Sequence, residues 1–201
     1  MVDGKKMSRS LNNVNTIEDL ESMGYSGRQI RFFLLGTHYR KPLNFSLGAL
    51  ETAKNTVKKL DRFIQRLIRY TPGKGYPDTD QFVYDIKQRF SDAMDDDFNI
   101  SDTIASLFEF VGKVSIPLSL GQLSDRERDN VLDVITRINE VLGVMNFEEE
   151  TLSEEALRLL EEREALRKKG DWKASDEIRK KLLGMGIEIS DTAHGVIWSL
   201  E

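Results

Sequence analysis

The sequence contains no cysteine, only four prolines and only two histidines, His38 and His194, among its 201 residues. The missing thiols exclude disulfide frameworks, thiolate zinc sites and cysteine nucleophiles, and two histidines are too few for an imidazole metal cage. No metal site is therefore expected in this chain. It also has no run approaching the ~20 consecutive apolar residues of a membrane span, and no apolar signal core follows its polar, basic N-terminus. These absences predict a protein of the cytoplasm without membrane contact. With 39% apolar and 31% charged residues, the chain can build one or two packed domains.

The net charge of −5 hides a division along the chain. Residues 1–75 carry fourteen Lys/Arg against six Asp/Glu, a balance of +8, whereas the remainder carries fifteen against twenty-eight, a balance of −13. A basic segment of this size suits a phosphate backbone or a polyphosphate, and equally suits solvated helix faces.

Apolar residues at Leu50, Ala53, Val57, Leu60, Ile64 and Leu67 recur in steps of three and four, which predicts a helix from about Ser46 to Tyr70. Pro72, Gly73, Gly75 and Pro77 then mark an exposed connection. A second helix follows Asp78 with Phe82, Ile86, Phe90 and Met94 on one side. Asp95-Asp96-Asp97-Phe98-Asn99 reads as a turn, its acids ending one helix and capping the next, and a third helix runs through Ile104, Leu107, Phe108 and Val111. A fourth, capped by Ser124, shows Val131, Val134, Ile138, Val141 and Met145. Together these predict a mainly α protein built on an antiparallel helical bundle. Beyond Asn146, Ser153 caps a further helix, Gly170-Asp171 interrupts it, and another runs from Trp172 to Met185. The alternating stretch 186–191 and Val196-Ile197-Trp198 predict two strands, so the C-terminus is a small α+β appendage. The organisation expected is residues 1–45, a helical bundle over 46–150 and the appendage over 151–201.

Three blocks carry a resemblance. Lys6-Met7-Ser8-Arg9-Ser10, in the setting Val2-Asp3-Gly4-Lys5 to Leu11-Asn12-Asn13, resembles the KMSKS loop of class I aminoacyl-tRNA synthetases. Arg31 to Arg40 with Pro42-Leu43-Asn44-Phe45, and Met94-Asp95-Asp96-Asp97-Phe98-Asn99, resemble cysteinyl-tRNA synthetases in particular. The tail is similar to that family's anticodon-binding region through Asp171-Trp172, Asp176, Ile178-Arg179, Gly186-Ile187, Asp191 and Gly195 to Trp198. The chain departs from the family at Arg9, where a second lysine is usual, and at Ile100-Ser101, where Thr-Pro is common. The planar fork of Arg9 replaces a compact ammonium there.

The resemblance implies a class I anticodon-binding bundle with its appendage, preceded over 1–45 by the KMSKS-type loop and stem-contact helices. It implies cysteine-specific tRNA and ATP as ligands. In adenylate formation charge builds on the departing phosphates, so Lys6 and Arg9 are the expected catalytic cations, with Ser8 and Ser10 as hydroxyl donors and Gly4 as the hinge. The family's nucleotide-binding half, with its zinc site, has no counterpart in the sequence; ATP chemistry is expected only with such a half supplied, a separate chain being one source of it, and the chain by itself is expected to be an inactive monomer. Met1 to Gly4 fits the family's internal sequence, which favours a fragment. In the tail, Trp172 is either a stacking platform for a splayed base or a core aromatic, Asp176 and Asp191 are candidate acceptors for base amino groups, Arg167 is a bidentate donor, and Lys168, Lys169 and Lys173 suit phosphates. Trp198 is expected in the core. Arg28, Arg31, Arg40 and Lys41 are candidates for tRNA contact, whereas His38 is expected to be satisfied by a neighbouring carbonyl. The alternative function is a free-standing, non-catalytic synthetase paralogue that binds RNA; a third is a scaffold that docks the absent half through an exposed apolar patch.

Overall fold

The computed structural model describes residues 1–2, 4, 6–8, 10, 13–192 and 195–200, which form two compact units, Met1–Phe147 and Glu148–Glu201. The first contains α1 (Ile17–Ser22), α2 (Gly27–Leu35), α3 (Leu47–Ile68), α4 (Thr79–Asp95), α5 (Ile100–Ser119) and α6 (Asp125–Leu142). The second contains α7 (Glu154–Lys168), α8 (Trp172–Gly184), β1 (Ile187–Thr192) and β2 (Gly195–Leu200). The fold is thus mainly helical, with one small antiparallel sheet near the C-terminus.

Side-chain caps set where the helices begin. Thr16, Ser26 and Ser124 each accept from the backbone N–H three residues on, while Asp19, Gln29 and Glu127 reach back to the cap residue's own N–H. Ser46, Asn99, Ser153 and Asp171 cap α3, α5, α7 and α8 from one side only. Each such cap satisfies a donor that the helix itself cannot, typically worth about 1 kcal/mol.

The apolar stripe of α3 is the spine of the first unit: Leu60, Ile64 and Leu67 lie in one cluster with Leu107, Val114, Val131, Val134 and Ile138 from α5 and α6. Short connections reverse the chain between α4, α5 and α6, which gives the expected bundle. α6, in which the sequence places Met145 on the apolar stripe, stops at Leu142 because Gly143 takes a left-handed conformation (φ 64°) and ends it. Asn139 then accepts from the N–H groups of Val144 and Met145 at 2.9 and 2.8 Å, folding both side chains back into the core. Val141, expected on the buried stripe, is 45% exposed.

The segment after α3 is tied down more firmly than its Pro and Gly content suggests. Gly73 N–H donates to Leu123 O at 2.6 Å and Gly75 N–H to Gln122 O at 2.7 Å. Gly73 lies so close to the α5–α6 turn that a Cβ there would sit 2.0 Å from Gly121 O. The buried Glu127 carboxylate accepts from Tyr76 N–H as well as from Ser124. At the next turn Asn99, rather than an aspartate, caps α5, and Asp97 and Phe98 both have φ of 53°.

In the second unit, α7 and α8 form a hairpin against the β1–β2 ribbon. Ala156, Ile178, Leu182, Ile187 and Ile189 make its core, and the partly buried Trp198 packs against it. The ribbon pairs Ile187 with Leu200, Ile189 with Trp198 and Asp191 with Val196.

Candidate nucleic-acid interface

The sharp reversal between α7 and α8 rests on Gly170, whose φ of +79° is ordinary for glycine and costly for other residues. It makes Trp172 the first residue of α8, with 60% of its surface exposed. Of the two readings left open for this ring, the structure thus places it outside the core. The Arg167 guanidinium, in the last turn of α7, stands over it with Cζ 5.2 Å from the ring centroid. Planar cation on planar ring is a stable contact that leaves the other ring face accessible.

Arg167 also forms an ion pair with Asp191, with Nη1 3.1 Å from Oδ2. One turn earlier on the same face of α7, Arg163 grips both oxygens of that carboxylate, Nη1 to Oδ1 and Nη2 to Oδ2, each at 2.8 Å. The Arg163 side chain is 1% exposed and that of Asp191 34%. This bond, together with the positive charges of Arg163, Arg167 and Arg179, holds the Asp191 carboxyl below its ordinary value despite partial burial. Asp176, one turn after Trp172 on α8, is exposed, and its charge acts on Arg163. Lys168 is exposed in the last turn of α7. Of the tail residues expected from the sequence, Asp191 is thus bound by Arg163 and paired with Arg167, Asp176 acts on Arg163 through its charge, and Trp172 joins the group through Arg167.

Arg163 itself was missed. The available signal was its spacing: with Ala156, Leu159, Leu160 and Leu166 it falls on the apolar side of α7, where a charged residue without a partner would be costly.

In the first unit, the loop begins beside a parallel bridge between Val2 and Phe45, and Gly4 N–H donates to Asn44 Oδ1 at 2.9 Å. Asn13 accepts from Ser8 N–H at 2.9 Å and donates to Lys6 O at 3.0 Å, and the Ser8 and Ser10 hydroxyls are 3.2 Å apart. Lys6 is exposed. Arg9 lies outside the described residues. Among the described residues no group of three or more His, Asp or Glu could hold a metal ion, and no helix is long and apolar enough to cross a membrane.

Part of the basic N-terminal third is spent internally. Arg28 binds Asp61 at 2.9 and 3.0 Å and Val144 O at 2.9 Å. Arg31 donates to Leu142 O and, at 3.1 Å, to Val141 O, where a cation meets the negative end of α6. Among the described residues His38 finds no carbonyl; its Nδ1 accepts from Arg40 N–H at 3.3 Å, its ring stacks on Tyr39, and its Nε2 is 3.7 Å from Asp97. Asp97 is instead held by Tyr39 Oη at 2.6 Å and Arg40 Nη2 at 2.9 Å.

Three family matches cover most of the chain. Residues 1–55 match the class I (C) tRNA synthetase catalytic domain, residues 89–148 the DALR domain and residues 149–198 the cysteinyl-tRNA ligase anticodon binding domain. The last two meet where the two compact units divide. A helical bundle followed by such a domain defines the class: the anticodon-binding portion of a class I aminoacyl-tRNA synthetase. Among curated proteins, the chain is 34% identical over 197 residues to the cysteine–tRNA ligase of Protochlamydia amoebophila, covering 97% of this chain and 41% of that protein. It is 37% identical over 203 residues to that of Chlamydia abortus (97% and 42%) and 35% identical over 204 residues to that of Leptospira interrogans (98% and 43%). The chain belongs to the cysteinyl-tRNA synthetase family as a C-terminal portion, and spans about two fifths of the length of these relatives.

Proposed function

We propose that the chain is the tRNA-binding portion of a cysteine–tRNA ligase of the cytoplasm, and that its second unit reads the anticodon. The observation that carries this reading is the contact series from exposed Trp172 through Arg167 to Asp191 and the buried Arg163, with the charge of Asp176 acting on that arginine. Trp172 offers a π-face to an unstacked base, worth ~1 to 3 kcal/mol per base. The carboxylates of Asp176 and Asp191 accept from base amino groups, Arg167 donates to base acceptors, and Lys168 meets the backbone.

Lys6, Ser8, Arg9 and Ser10 would face the phosphates of ATP when a nucleotide-binding half is present. Lys6 and the paired hydroxyls of Ser8 and Ser10 are donors of the type that polyphosphate needs, and they neutralise charge as pyrophosphate departs. The zinc of the family belongs to that other half in this reading.

The test compares binding of cysteine-specific tRNA with that of the same tRNA carrying a changed anticodon, at fixed salt, with and without Trp172→Ala. A preference for the cognate anticodon that Trp172→Ala weakens supports the reading; equal affinity for both tRNAs refutes it. The second reading, a non-catalytic RNA-binding module, is favoured by the fact that the gathered tail residues all lie within one compact unit. Supplying a nucleotide-binding half and measuring cysteine-dependent ATP–pyrophosphate exchange separates the two: a gain in exchange supports the ligase, none supports the module.

A further inference from the structure

A side chain on the apolar side of α7 needs only volume to complete the core between Ala156, Ile178 and Ile187. An apolar residue would supply that volume without the cost of desolvating a guanidinium, and replacing buried ion pairs by apolar residues is often neutral or stabilising. Arg163 is there instead, 1% exposed, with its Nε lacking a hydrogen-bond partner among the described residues. The fork–fork pair with Asp191 uses one N–H of each terminal nitrogen. Two parallel bonds of 2.8 Å fix the plane of a carboxylate as well as its position.

The consequence lies on the outer side. Each carboxylate oxygen has about two acceptor sites. Arg163 occupies one on each oxygen, and Arg167 Nη1 lies 3.1 Å from Oδ2. The Asp191 side chain keeps 34% of its surface exposed, which leaves acceptor capacity for a ligand, and Arg167 is at the same time laid against Trp172.

Resting on the anticodon-reading proposal above, we infer that Arg163 is a positioning residue for that reading: from the interior it orients Asp191, and through Asp191 it orients Arg167, so that the two form one composite acceptor–donor edge beside the Trp172 ring. Its ligand class is an unpaired nucleobase with a donor next to an acceptor on its Watson–Crick edge, stacked on the tryptophan. Without Arg163, Asp191 and Arg167 are two flexible side chains, and selectivity falls although every group that touches the base is still present.

The experiment uses the full chain and its variants Arg163→Met and Arg163→Lys, each checked for folding by tryptophan fluorescence, with affinities for cognate and anticodon-changed tRNA measured at one salt concentration. The expected result is a loss of roughly tenfold in the ratio of the two affinities in Arg163→Met, as when one good base contact is lost, with affinity for the changed tRNA held within about twofold because phosphate contacts dominate it. Arg163→Lys, whose single ammonium cannot grip both oxygens, should show the same loss. An unchanged ratio in either folded variant overturns the positioning role and leaves the anticodon reading standing. A parallel fall in both affinities, or failure of both variants to fold, shows a purely structural arginine and also overturns it. Absence of any preference in the unsubstituted chain overturns both proposals together.

Discussion

Each unit contains an arginine–aspartate pair, and the two are built inside out relative to each other. In the first unit the acid is the buried partner: the side chain of Asp61 is 16% exposed and that of Arg28 38%. In the second the cation is buried, Arg163 at 1%, and the acid reaches solvent, Asp191 at 34%. The Asp61 oxygens share a single Arg28 nitrogen and accept from Asn146 N–H, so that pair stitches the chain after α6 onto α3. The Asp191 oxygens each have their own nitrogen of Arg163. Burial raises the Asp61 carboxyl from its ordinary value against the pull of Asn146 and Arg28, whereas the Arg163 bond holds that of Asp191 down. The partner that is sealed inside decides the role: an enclosed acid is a fastening, while an acid clamped from inside still shows an edge to a ligand.

The comparison breaks most visibly when the acids are removed. Asp191→Ala leaves a guanidinium enclosed without its counter-charge and should destabilise the second unit by about 3 kcal/mol or more. Asp61→Ala leaves an arginine that can turn toward water and keeps Val144 O, so about 1 to 2 kcal/mol is expected for the first unit. Chemical denaturation separates them conveniently, because both tryptophans, Trp172 and Trp198, lie in the second unit and report on it alone. Equal losses at the two sites would show that the inversion has no energetic content.

Two glycines extend the contrast at the level of backbone. A Cβ at Gly73 would collide with the Gly121 carbonyl, a backbone atom that cannot swing aside, so Gly73→Ala should cost the first unit about 2 to 3 kcal/mol. Gly170 meets nothing within 4 Å, and only its left-handed φ of +79° opposes a side chain. Gly170→Ala should therefore cost about 1 kcal/mol. Melting curves of the two variants check the ranking, and a larger loss at Gly170 would reverse it.

Titration tests the same inversion with a sign. Asp191, lowered in the folded state, contributes stability that is complete above the ordinary carboxylate range and is lost as pH falls through its folded value, below about pH 4. Asp61, raised, works the other way: its contribution is greatest below its unfolded value and declines as pH rises through its folded one. Tryptophan fluorescence should show the second unit losing stability on acidification, and Asp191→Asn should flatten that dependence. Asp61→Asn should flatten the opposing slope in the first unit, followed by tyrosine fluorescence or amide exchange. A second unit indifferent to acid below pH about 4 would contradict the clamp.

The bundle was readable because its information is local. Stripes at three and four residues, serine caps and the Gly170 break specify helices from neighbours in sequence. The pairs that set the sites were not. Arg163 and Asp191 lie 28 residues apart on a helix and a strand, and Arg28 reaches Val144 across 116 residues, so no periodicity links them. The tight passage at Gly73 depends on Gly121, and the left-handed pair Asp97 and Phe98 follows from how that turn meets Tyr39 and Arg40. In the tail, resemblance brought out the residues that face outward, while the inward-facing arginine that organises them looked like one more charge in a charged helix.

The smallest expected effect on stability separates the units most cleanly by role. Trp172 is 60% exposed and Phe98, in the first unit, 64%. Removing either ring by substitution with alanine should leave stability within about 0.5 kcal/mol of the unsubstituted chain, since neither supports a core. Their effects on RNA should differ. Trp172 stands in a unit where donors and acceptors converge beside it, so Trp172→Ala should weaken binding of cognate tRNA by ~1 to 3 kcal/mol. Phe98 projects beside a carboxylate already occupied by Tyr39 and Arg40, and Phe98→Ala should leave that affinity within about twofold. Equal losses from the two variants would mean that the first unit stacks a base as well, and that base reading is shared between the bundle and the tail.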